Sequence, residues 1–245
     1  MGVNAQTTVP KFTAGQVLTA AQQTGINTGI PVFATTTTRD AAFGGSNKVL
    51  AEGQFAYIEA SNTTQYYDGA AWQTVGGGLT YLTGTTFATA TSFSLPNGTF
   101  SSTYTNYRIL VNITAVSADS TFTVRMRASG TDDSSSNYQF ALQGFDTAGT
   151  ARNASGITQT SISAGEQDSA TVRYYFTADV MNPQATAPTL LNIQYSFVDQ
   201  ANTYTAGRMG LGLFTATTSF DALSFISSTA SSITGNYRVY AYATS

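Results

Sequence analysis

Residues 106–113 read NYRILVNI, placing Tyr107, Ile109, Val111 and Ile113 in strict alternation with Arg108, Leu110 and Asn112. Residues 121–130, TFTVRMRASG, alternate Phe122, Val124 and Met126 with Thr123, Arg125 and Arg127. A period of two with the apolar residues in one phase marks a β-strand that lays one face on a core and wets the other. The same beat returns at Val172, Tyr174, Phe176 and Ala178, and again at Leu191, Ile193, Tyr195 and Phe197. Shorter versions follow at Leu211 and Leu213, at Leu223 and Phe225, and at Tyr237, Val239 and Ala241. From Leu79 onward this predicts about eight strands divided by Gly, Asn, Asp, Ser and Pro turns, with no helical period between them. An all-β fold follows, with residues 79–245 forming an antiparallel two-sheet β-sandwich of jelly-roll-like type.

Upstream of that domain, Gly76, Gly77 and Gly78 form a joint that no strand or helix would choose for its interior. No Gly-Lys-Ser/Thr follows, so the run does not read as a phosphate loop. Residues 31–78 read as a small β module. Its sequence QYYDGAAWQTV, 65–75, predicts a hairpin turning at Asp68-Gly69 in a type I′ turn, with the single tryptophan, Trp72, capping a miniature core. Residues 1–30 offer no obvious core and read as an arm. Within it Thr19-x-x-Gln22 predicts a capping box on a helix of at most about two turns, closed by Gly25 and Gly29. The start MGVNAQTTVPKFTAGQ lacks the charged and apolar regions of a signal peptide, and no run of 18 apolar residues is present. The expectation is a chain made in the cytosol with no membrane insertion.

Composition narrows the chemistry. The 245 residues include no histidine and no cysteine, and only 9 % are charged. Imidazole general bases, thiolate nucleophiles, disulfides and His- or Cys-ligated zinc are thereby excluded. A net charge of −3 with no basic cluster argues against nucleic acid as a partner. No cofactor and no metal site are expected, and the chain does not read as an enzyme. The strongest enzymatic rival, glycan cleavage, needs only a carboxylate pair, for which Asp132, Asp133, Asp146, Glu166, Asp168 and Asp179 are the candidates. Neighbours on an extended strand point to opposite faces, so Asp132 and Asp133 read instead as part of a solvated loop, with a loop contributing to calcium or sugar binding as the lesser alternative.

Tyrosine, with 14 copies, is the more informative enrichment. Tyr104, Tyr138, Tyr204 and Tyr240 lie near turns or on the polar phase of a strand and are expected to be exposed. Beside Asn, Gln and Asp, such rings can stack on a sugar while amides read its hydroxyls; rigid Tyr platforms also serve protein contacts.

Three stretches resemble tailed-phage virion proteins. FTAGQVLTAAQ, 12–22, is similar to the leader of many phage tail and fibre proteins. RDAAF at 39–43, with LAEGQFAYIEASNTTQYYDGAAWQTV at 50–75, resembles the small aromatic Asp-Gly…Trp module that often comes next. NYRILVNI, TFTVRMRASG and the terminal ITGNYRVYAY, 233–242, resemble the C-terminal β-sandwich of phage fibre and minor structural proteins. The resemblance implies a virion component, often a homotrimer, held to other virion proteins through residues 1–30, where Phe12, Val17 and Leu18 are the apolar contacts. It departs from the pattern in having no long shaft and no glycine after the last tyrosine. The implied role is a short tail fibre, spike or minor tail protein that presents its sandwich to a host-surface glycan. Its place would be the virion, assembled in the host cytoplasm. A capsid decoration or adaptor without a receptor is the alternative, and a polysaccharide depolymerase the second alternative.

Overall fold

The computed structural model describes residues 6–20, 22–23, 29–76, 78–167 (166 and 167 as backbone only), 173–198 and 205–243. Contacts divide the chain into two units, Met1–Gly77 and Gly78–Ser245.

The smaller unit carries a four-stranded sheet in the order β1 (Val32–Phe33), β2 (Phe55–Ile58), β3 (Thr63–Tyr67), β4 (Trp72–Thr74). β1 runs parallel to β2, and the other pairs are antiparallel. A helix absent from the sequence reading, α1 (Thr36–Ala41), starts where the extended Thr35 accepts the Thr38 N–H on its hydroxyl at 3.2 Å. Val9, Phe33, Ala42, Ala56 and Ile58 form the core. Trp72 packs against that core, 5.8 Å from Phe43 and 5.6 Å from Tyr67, with the buried Arg39 guanidinium 4.5 Å over its ring. The arm contributes Val9 to this core. Its backbone is stitched in by Gln6 N–H to Val32 O at 2.6 Å and Lys48 N–H to Val9 O at 2.9 Å.

Two local expectations meet the coordinates directly. The capping box forms reciprocally: Thr19 N–H donates to Gln22 Oε1 at 2.9 Å, and Gln22 N–H to Thr19 Oγ1 at 3.3 Å. The hairpin also forms, pairing Tyr67 with Trp72, but its turn is not type I′. Only Gly69 has positive φ (+96°), because the Asp68 carboxylate captures the Ala70 and Ala71 N–H groups at 2.8 and 2.7 Å. Those two bonds, with the Gln73 amide, hold the Asp68 pKa below its usual value.

The larger unit is a sandwich of two antiparallel sheets. Its strands are β5 (Leu79–Ala90), β6 (Ser92–Ser94), β7 (Asn106–Val116), β8 (Ser120–Ala128), β9 (Thr131–Asp132), β10 (Tyr138–Asp146) and β11 (Ala151–Gln159). They continue as β12 (Ile162–Gln167), β13 (Arg173–Met181), β14 (Thr189–Val198), β15 (Thr205–Phe214), β16 (Ala222–Ser227) and β17 (Ile233–Tyr242). An eight-stranded sheet runs β11-β10-β15-β14-β13-β7-β17-β5, and a five-stranded sheet runs β12-β8-β16-β6 with β9 on β8. Eight of the links cross from one sheet to the other, the jelly-roll habit, and hairpins make up the rest. The tally exceeds the eight strands expected. The Thr-rich β5 and the polar β11 close the two edges of the large sheet, where one flank needs no apolar alternation.

The inward phase is the one the alternation assigns. Tyr107, Ile109, Val111 and Ile113 are buried against Phe122, Val124 and Met126. Aromatic rings bridge the sheets: Phe122 to Tyr174 at 4.7 Å, Phe93 to Tyr237 at 4.8 Å and Phe176 to Phe225 at 5.5 Å. Each such ring removed from water stabilises the sandwich by about 1.5–3 kcal/mol.

Candidate functional site

The register of the large sheet strings one residue from every strand into a row across its outer face. Tyr81 on β5 sits opposite Tyr240 on β17, which faces Arg108 on β7, which faces Asp179 on β13. The row continues through Asn192, Leu211, Ala141 and Ser155. Its first half is aromatic and charged. Tyr81 is 56 % exposed and meets Tyr240 edge-on at 5.7 Å. Arg108 Nε lies 3.4 Å from Asp179 Oδ1, which also accepts the Tyr242 hydroxyl at 2.7 Å. Partial burial, then that bond to a carboxylate, raises the Tyr242 pKa, so its proton stays in place at neutral pH.

Local backbone shapes this platform. A Cβ on Gly84 would stand 2.6 Å from the Tyr237 carbonyl oxygen and 3.2 Å from the Tyr81 hydroxyl. Glycine there leaves the Tyr81 ring room beside β17. The exposed Arg238 faces Gly84, and Asn236 faces Asn112 one step along. Ring faces flanked by a guanidinium, a carboxylate and amides can grip a polyhydroxylated ligand: the rings cover its C–H faces and the polar groups bond its hydroxyls.

Of the residues singled out from the sequence, Tyr240 stands in this row. Tyr138 does not; it is fully buried, and the expectation of exposure is corrected. It occupies the inward phase of β10, meets Phe214 edge-on at 4.9 Å, accepts the Met126 N–H at 3.0 Å and donates to the Asp133 carbonyl at 3.0 Å. A position beside a turn does not tell which phase of the strand it enters. Tyr104 is half-buried, edge-on to Tyr107 at 6.4 Å. Tyr204 lies outside the described residues.

Asp132 is half-buried on β9 of the five-stranded sheet, which corrects the solvated-loop reading for that residue, and Asp133 is half-buried in the loop that follows. Asp132 Oδ1 holds Arg127 at 2.5 Å and accepts Ser224 Oγ at 2.7 Å; Asp133 Oδ1 accepts the Ser135 N–H at 2.8 Å. A hollow of about 360 Å³ opens beside them, lined also by Thr131, Thr218 and Phe220. Asp146 is buried and held by Arg152 at 3.1 Å and by the Ala148 and Thr150 N–H groups. The four carboxylates Asp132, Asp133, Asp146 and Asp179 thus each answer internal donors. The Glu166 side chain and Asp168 lie outside the described residues. Among the described residues no group of three or more His, Cys, Asp or Glu gathers to hold a metal. In the arm, Val17 is exposed while Phe12 and Leu18 are half-buried.

Tyr81, Tyr242 and Arg108 escaped the sequence reading as site residues. The shared phase of Arg238, Tyr240 and Tyr242 in the terminal strand could have found Tyr242; Tyr81 and Arg108 join it only through cross-strand register. Comparison with protein-family models, with curated proteins and with solved structures finds no match to this chain.

Proposed function

We propose that this chain is a structural component of a tailed-phage virion. Its leader docks on other virion proteins, and its sandwich adheres to a host-surface glycan through the outer face of the large sheet. The observation that carries the adhesive part is the cluster of Tyr81, Tyr240 and Tyr242 with Arg108 and Asp179 on one open, rigid surface. A flat site of this kind binds each sugar weakly. Several copies on one particle raise the avidity through effective concentration. The virion part rests on the three resembling stretches, which occur in the order leader, aromatic module, sandwich.

The test is glycan-array binding by the full chain, followed by titration of Tyr81→Ala and Tyr240→Ala on the best ligand. Each variant is expected to weaken binding at least about tenfold, the loss typical of an aromatic anchor. An array with no ligand, together with phage adsorption unaffected by removal of residues 78–245, would refute adhesion. Labelled copies on the capsid would then favour decoration. Release of reducing ends from host polysaccharide, abolished by Asp179→Asn, would replace adhesion with depolymerase chemistry.

A further inference from the structure

Beyond Asn192 the outer face of the large sheet changes character. The outward-facing residues of β15, β10 and β11 carry no charge. Among them Ile157 is 73 % exposed, Met209 61 %, Phe145 60 % and Leu211 52 %. Single exposed apolar residues are ordinary, but a contiguous patch marks a surface awaiting a partner. At one end of β10, Ala141, Ile157, Leu190, Leu211 and Leu213 line a hollow of about 620 Å³. Towards the other end of the same strand, four residues from Ala141 and so about 13 Å away, Phe145 stands out from the surface.

We infer that this half-face is the contact between two copies of the chain, related by a two-fold axis. An axis lying in the interface, parallel to the sheet and perpendicular to β10 over the cross-strand pair Gln143 and Met209, carries Phe145 of each copy onto the hollow of the other. Knob and hollow on one surface, at opposite ends of one strand, are what a self-complementary contact requires. The absence of charge matters equally. Two copies of a patch of one charge sign would set like charges against each other, whereas this one meets itself without repulsion. With β14, whose outward residues Leu190, Asn192, Gln194 and Ser196 are also uncharged, four strands at about 4.8 Å spacing and nine residues at about 3.3 Å give a footprint of roughly 570 Å² before side-chain relief is counted. That is comparable with the about 800 Å² per partner of a stable interface. Tyr81 on β5 and Tyr240 on β17 lie outside the strands of this patch, so the inference goes beyond the adhesive reading and does not depend on it. It also differs from the homotrimer implied by resemblance, because two flat faces meet in pairs.

Native mass spectrometry and light scattering on the full chain, up to about 100 µM where even a weak pair forms, are expected to give twice the chain mass. The double variant Met209→Asp, Leu211→Asp is expected to give one chain mass with an unchanged circular dichroism spectrum, and Tyr81→Ala to remain paired. Gln143→Cys supplies a second reading that needs no disruption: in a chain without cysteine, thiols beside the axis would join two copies by a disulfide under mild oxidation. A single-chain mass for the parent, a threefold mass, or a pair that survives both aspartates would overturn the inference. So would failure of Gln143→Cys to cross-link. A single chain that takes up an apolar dye at this face would give the patch to another occupant.

Discussion

Tyr138→Phe removes one oxygen atom from the interior of the sandwich, and its consequence can be worked through. The ring keeps its place against Phe214, so no cavity opens beyond the hydroxyl itself. Two partners are lost: the Met126 N–H and the Asp133 carbonyl, each at 3.0 Å. Asp133 is half-buried, so water can reach it in part, whereas Met126 is fully buried. The cost is therefore set mainly by one stranded N–H, about 1–3 kcal/mol. For a domain of this size that lowers the melting temperature by about 2–12 °C. Far-UV circular dichroism follows the larger unit, which holds most of the strands, while fluorescence of the lone Trp72 follows the smaller one and should not move. Glycan binding should also be unaffected. A melting temperature equal to the parent's, combined with lost binding, would show that Tyr138 works at the surface and would refute the reasoning.

Two further outcomes follow from the same interior. A Cβ on Gly210 would fall 2.0 Å from the Ala141 carbonyl oxygen, so Gly210→Ala must push β15 off β10 and should cost at least about 3 kcal/mol. Gly78→Ala meets nothing within 4 Å and should be near neutral when both variants are titrated with urea; equal midpoints for the two would contradict the close approach. In alkali, burial raises the pKa of Tyr138 and Tyr174 above the unfolded value of about 10, so folding favours their neutral forms. Their contribution is complete below pH about 10 and is lost as pH rises towards the folded values, with Tyr138→Phe flattening that slope by one proton. With no histidine to titrate, stability should be nearly level between pH about 5 and 8. Unfolding free energies across pH 5–12 check both statements, and a fall beginning near pH 7 would contradict them.

What could be read in advance was whatever a single strand declares about itself. The buried phases of β7, β8, β13 and β14 are legible because half-buried strands must alternate, whoever their neighbours are. The edge strands β5 and β11 were not legible: their residues pack on few neighbours, and ARNASGITQ has no apolar beat. α1 hid in a threonine run because its stability comes from a cap and from packing rather than propensity. Val9 in the small core was equally silent, since backbone hydrogen bonds to the distant Ala42 and Lys48 place it there. The binding row failed to appear for a related reason. Tyr81, Arg108, Asp179 and Tyr240 are separated by long stretches of chain and become neighbours only once strand order and register are set.

The position of β17 has a consequence for how the larger unit comes into being. Ile233–Tyr242 lies between β5 and β7, two strands translated long before it. Until it emerges from the ribosome, β5 has no neighbour in its sheet and β7 shows a bare flank. Maturation must therefore wait for β17, and such distant pairings make the search slow. The nascent chain spends that interval with adhesive strand edges open, when chaperone capture or premature clumping would compete most strongly with completion.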